Sequence, residues 1–113
     1  MSNRAELCLS AMKSIVRSPD VQCFKVGYTC RAGVVRGDEY RAVGFKHLVI
    51  LADRLNPLEG VDLEDELVRA WKNADARSVL FKKNDRDQRD KAHKRSRGGS
   101  GSKRTAAVYL AWW

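Results

Sequence analysis

The feature that most constrains this chain is the run Phe24 to Thr29, FKVGYT, whose side chains alternate from one face to the other. Cys23, Lys25, Gly27 and Thr29 fall on one side of an extended backbone, and Phe24, Val26 and Tyr28 on the other. The stretch from Val21 to Thr29 therefore reads as a half-buried strand. Lys46 to Ala52 (KHLVILA) is a second strand, with Val49, Ile50 and Leu51 too apolar for an exposed edge. Ala106 to Trp113 (AAVYLAWW) is a final apolar strand.

Helices are read from their ends. Asn56-Pro57-Leu58-Glu59 is a helix start, with Asn as the cap, Pro at the first helical position and Glu closing the capping box. That helix is predicted to run to about Ala74, with Leu63, Leu67, Ala70 and Trp71 as its apolar stripe. Glu64 stands beside the stripe, and Asp62, Asp65 and Glu66 look outward, where Arg69 or Lys72 could pair with them. A shorter helix from about Val34 to Ala42 would end at Gly44. Residues 4–16 fit a helix through Cys8, Met12, Ile15 and Val16 and a strand through Leu7, Leu9 and Ala11, so periodicity leaves them open. Ser18-Pro19-Asp20 is a turn. The predicted class is α/β (α+β): a small central antiparallel sheet of three or four strands flanked by helices.

At 113 residues the chain is long enough for one core and too short for two. It has no apolar run of about eighteen residues and no signal-peptide pattern, so no membrane partner is expected. Three cysteines without a C-x-x-C, Cys8, Cys23 and Cys30, suit reduced thiols and a cytoplasmic setting. Two histidines are too few for a zinc site.

The net charge of +8 sits in one place. Residues 1–81 hold 12 Lys and Arg against 11 Asp and Glu, whereas residues 82–104 hold 10 against 3. The expected organisation is a core over 1–81, a basic segment with a Gly/Ser hinge over 82–104, and a C-terminal strand over 105–113 packing on the core. A localised basic stretch beside a near-neutral domain is the footprint of a polyanion binder. Lys82, Lys83, Arg86, Arg89, Lys91, Lys94, Arg95, Arg97, Lys103 and Arg104 are the expected nucleic-acid contacts.

Over residues 24–70 the chain resembles the second half of a GIY-YIG nuclease domain, and more closely its phage-type relatives with a K-[IV]-G-[YIK]-T strand. Lys25-Val26-Gly27 occupies the YIG position, and Arg36 falls at the helix arginine. Tyr40 stands where the family has a His or Tyr one turn later. Leu63-Glu64-Asp65-Glu66-Leu67-Val68 matches L-E-x-x-L-[IV], whose glutamate binds the metal.

The resemblance implies a three-stranded antiparallel sheet flanked by helices, with one Mg2+ (or Mn2+) on Glu64. Arg36 would hold the phosphate and Tyr40 would be an auxiliary donor. Lys25 replaces the motif tyrosine and could neutralise phosphate charge. No GIY motif lies in residues 4–18, where the first strand should be. Ala107 to Trp112 reads like such a strand, so Tyr109 could supply the hydroxyl if it paired beside Cys23–Thr29; the simpler reading is a core or edge aromatic. The family's late asparagine would be Asn73 or Asn84.

The implied function is a metal-dependent nuclease acting on nucleic acid, DNA ahead of RNA, alone or in a homodimer or larger assembly. The alternatives are an inactive nucleic-acid binder that uses segment 82–104, or a small regulatory module that docks a partner through Trp112-Trp113.

Overall fold

The computed structural model describes residues 2–29, 46–72, 77–85, 88 and 105–113. In chain order they form α1 (Asn3–Val16), β1 (Phe24–Thr29), β2 (His47–Leu55), α2 (Pro57–Lys72), α3 (Val79–Lys83) and β3 (Ala106–Trp112). The expected helix over Val34 to Ala42 lies outside the described residues.

The ambiguity of residues 4–16 is settled as helix. Ser2 caps it, its hydroxyl accepting from the Ala5 N–H at 3.2 Å. Ala5, Cys8, Met12 and Val16 form the buried stripe, while Leu7 stays 73% exposed, so the alternating pattern through Leu7 has no structural counterpart. At the other end Lys83 Nζ donates to the carbonyl oxygens of Val16 and Ser18, both at 2.8 Å. The predicted turn follows, with the Val21 N–H donating to the Ser18 carbonyl at 3.1 Å.

The three strands form one antiparallel sheet in the order β1-β3-β2, so the last strand in sequence is the middle one in space. Phe24 pairs with Trp112, Val26 with Leu110, and Tyr28 with Val108. Directly opposed residues share a face, and this face carries the core. Phe24, Val26, Val108 and Leu110 cluster there with Met12 and Val16 of α1 and with Leu63, Leu67, Val68 and Trp71 of α2. Phe24 meets Trp71 edge to face, ring centroids 5.4 Å apart.

Among the described residues β2 is an edge strand, contrary to the expectation drawn from its apolar centre. β3 is buried along nearly its whole length and takes the middle position, which leaves Ile50 36% exposed. Two register shifts, between Ile50 and Ala52 and between Ala52 and Leu55, break the outer ladder, and Arg54 adopts a φ of 54°. Bulges and exposed charge of this kind discourage another strand from adding to an edge.

The opposite edge is closed differently. Gln88 offers its side-chain amide to β1 as a peptide group would: Oε1 accepts from the Val26 N–H at 3.0 Å and Nε2 donates to the Val26 carbonyl at 2.7 Å. Asn84 is buried beside it and donates to the Phe24 carbonyl at 3.3 Å and to Gln88 Oε1 at 3.1 Å. Asn84 Oδ1 accepts from the Trp71 indole at 2.9 Å. The start of the basic segment is thus tied into the core, and α3 runs across the expected junction at residue 82.

The chain end is also anchored. Trp113 exchanges backbone hydrogen bonds with Cys23 at 2.9 and 3.0 Å, and Trp112 stacks on His47 with ring centroids 5.3 Å apart. Among the described residues no helix is long and apolar enough to cross a membrane.

Candidate functional site

Helix α2 starts as its sequence requires. The Glu59 N–H donates to Asn56 Oδ1 at 2.8 Å, and the Asn56 N–H donates back to Glu59 Oε1 at 3.1 Å. Arg4 on α1 adds an ion pair to Glu59 at 3.2 Å. The Asn56 N–H first, and Arg4 second, hold the Glu59 carboxyl below its ordinary range.

The outward acids of this helix have surface partners. Asp65 pairs with Arg69 at 3.0 Å, one turn on, and Glu66 Oε2 accepts from the N–H and the hydroxyl of Ser2, each at 3.2 Å.

Glu64 is different. The buried residues of α2 are Gly60, Val61, Leu63, Glu64, Leu67, Val68 and Trp71. At 100° per residue, Glu64 falls near the middle of that arc, between Trp71 and Val68, rather than at its border as the spacing of the leucines suggests. Its side chain is 7% exposed. One turn earlier stands Gly60, and the Tyr28 ring lies against it: a Cβ added at Gly60 would come 2.8 Å from Tyr28 Cε2 and 3.0 Å from the Ala106 Cβ. Tyr28 is thus on the sheet face that α2 covers, against the first turn of the helix and one turn before Glu64. Strand alternation, which sets it opposite Lys25, is the signal that puts it on this core face.

Lys25, Gly27 and Thr29 occupy the other face of β1. Gly27 is paired with Tyr109 of β3, and the Tyr109 ring lies flat over it. A Cβ at Gly27 would stand 2.9 Å from Tyr109 Cε1 and closer still to the hydroxyl, so the glycine is what lets the tyrosine lie there. Ala107–Trp112 does pair beside β1, but Tyr109 is buried on the face away from α2 and Glu64, so the simpler reading of Tyr109 as a core aromatic is the one that stands. Thr29 is buried at the end of the strand, and Lys25 is half-buried.

Arg36 and Tyr40, expected to face the phosphate, lie outside the described residues. So do Arg86, Arg89, Lys91, Lys94, Arg95, Arg97, Lys103 and Arg104 of the basic segment, and Asn73. Lys82 is exposed at the end of α3. The Lys83 ammonium is engaged by the end of α1. Asn84, the other candidate for the late asparagine, is a buried bridge from Trp71 to β1.

Among the described residues no three His, Cys, Asp or Glu side chains stand close enough to share a metal ion. A carboxylate fixed on a helix suits a hard cation that takes one or two protein ligands and completes its shell with water and substrate phosphate, as Mg2+ does. Glu64 would be a single protein ligand of that kind, and among the described residues it belongs to no all-protein cage.

Cys8, the buried thiol of α1, points at the Leu51 carbonyl at 3.8 Å. Burial raises its pKa, against a smaller opposing effect of Arg4, so it is a packing residue rather than a nucleophile.

Comparison with known proteins gives no match, whether with family models, curated proteins or solved structures.

Proposed function

We propose that this protein is a metal-dependent nuclease that cleaves phosphodiester bonds in nucleic acid, with the Glu64 carboxylate as the ligand for Mg2+ or Mn2+. The observation that carries the proposal is the place of Glu64, inside the buried stripe of α2 between Trp71 and Val68. Packing alone would put an apolar side chain there, because carboxylates are rarely buried and cost stability when they are. A buried acid inside an apolar stripe, matching the glutamate of the L-E-x-x-L run, is what supports this role for Glu64.

The remaining roles follow from the resemblance. A bound divalent ion would supply Lewis-acid stabilisation of charge on a phosphoryl group. Arg36 would hold the same phosphate through charge-assisted hydrogen bonds, with Tyr40 donating beside it. Lys25 and Tyr109 lie on the Gly27 face of the sheet, away from α2, so neither joins Glu64 in this reading, and Tyr109 is a core aromatic seated over Gly27. Nucleic acid, DNA before RNA, would be held by Lys82 and the basic residues beyond it, with affinity falling steeply as salt rises.

The test is cleavage of supercoiled plasmid in Mg2+ by the 113-residue chain and by Glu64→Gln, with DNA binding measured on both. Cleavage by the wild type alone, with equal binding, supports the enzyme. Binding without cleavage by either form supports the second reading, a non-catalytic nucleic-acid binder. What favours that second reading is α1: residues 3–16 form a helix where the resemblance leads one to expect the first-motif strand.

A further inference from the structure

A cavity of about 310 Å³ opens between α1, the end of α2 and α3. Leu9, Ala70, Trp71, Val79 and Leu80 give it an apolar lining, and Lys13 and Arg17 complete the wall on the α1 side. The two cations are four residues apart, so they project from the same side of the helix end. Among the described residues neither has a carboxylate partner, and no acid lines the cavity. The carbonyl oxygens of Val16 and Ser18, which would repel an anion at this helix end, are both taken up by Lys83 Nζ at 2.8 Å. Val79, at the rim, is 44% exposed.

We infer that this cavity binds a small amphipathic carboxylate: an organic acid with one ring or a short acyl chain, its apolar part against Trp71 and Leu80 and its carboxylate between Lys13 and Arg17. The volume sets the size. An apolar cavity of about 150 Å³ takes up benzene, so this one, at about 310 Å³, has room for a ring with a short side chain. The charge sets the polarity. Apolar pockets with a few convergent polar groups are the usual form of a small-molecule site, and among the described residues both charged groups that line this one have the same sign. The site is independent of the nuclease proposal, and its failure would leave that proposal untouched.

The test uses the whole chain and two probes that differ only in charge, 3-phenylpropionate and 3-phenylpropanol, followed by amide shifts in 1H–15N spectra. The expected result is saturable shifts centred on Leu9, Ala70 and Val79 with phenylpropionate, and binding about tenfold weaker with the alcohol. The Lys13→Gln/Arg17→Gln double variant should bring the acid down to the affinity of the alcohol while its spectrum stays folded. Ala70→Phe, which fills the cavity and leaves both cations, should abolish binding of both probes. Equal affinity for acid and alcohol, shifts centred elsewhere, or no saturable shift below about 10 mM would overturn the inference.

Discussion

The first turn and the middle of α2 each carry a glutamate, and the two are used in opposite ways. Glu59 sits at the exposed helix start, and its geometry accounts for it fully: a reciprocal capping box with Asn56 and an ion pair to Arg4. Glu64 lies five residues on, inside the stripe that packs on the sheet. One acid serves the exposed helix start and the other sits inside the packed face. The contrast marks the middle of α2 as the place to look for chemistry.

The largest expected effect separates the two acids by activity. Glu64→Gln keeps the volume and hydrogen-bonding capacity of the side chain but removes the charge, so plasmid cleavage should fall by at least about 100-fold, while DNA affinity stays within experimental error. Retained cleavage in that variant would erase the distinction. Gly60, between the two glutamates, gives the next effect. A methyl group there must displace the Tyr28 ring, so Gly60→Ala should cost about 1–2 kcal/mol in urea unfolding even though alanine is the better helix former. A stabilised Gly60→Ala would mean that Tyr28 does not rest on the helix as described.

Asn56→Ala should then cost about 1 kcal/mol by loss of the cap, with cleavage unaffected. A parallel loss of activity would show that the helix start and the site are not separate. The smallest effect is titration of Glu59. Its folded pKa lies below the ordinary value of 4.5, so the stability it contributes is fully present above that value. It is lost as pH falls through the lowered folded pKa. The acid-side decline in melting temperature should be shallower in Arg4→Gln, and an unchanged slope would count against the ion pair to Arg4.

Local signals in the sequence were readable and distant ones were not. The Phe24 to Thr29 strand, the Ser18-Pro19-Asp20 turn and the Asn56–Glu59 box each rest on contacts within a few residues, and each is present. Gly27 and Thr29 are buried too, so the strand is covered on both faces rather than half-buried. Residues 4–16 support two periodicities, and only packing of Ala5, Cys8, Met12 and Val16 on the core decides between them. The central place of β3 joins residues about eighty positions apart by strand pairing, which no local pattern records. For the same reason β2 was misjudged, since an apolar strand reads as interior until a more apolar one claims the centre.

For the site, the L-E-x-x-L spacing picked out Glu64 but set it at the border of the stripe. The missing information was that Gly60, Val61 and Val68 widen the buried arc until Glu64 is near its centre. Asn84 and Gln88 sit in a run dominated by charge, where composition suggests contacts with a polyanion. Their amides instead close the edge of β1, because a strand edge needs donors and acceptors and a charged neighbour supplies only one kind.

The central claim, that the buried acid of α2 exists to hold a divalent ion, is tested most directly by titrating Mn2+ into the protein and following paramagnetic broadening of backbone amides. The account expects broadening centred on residues 60–68 and on Tyr28, absent in Glu64→Gln. Broadening that survives in that variant, or that gathers around the exposed acids Asp53 and Asp62 alone, would contradict it.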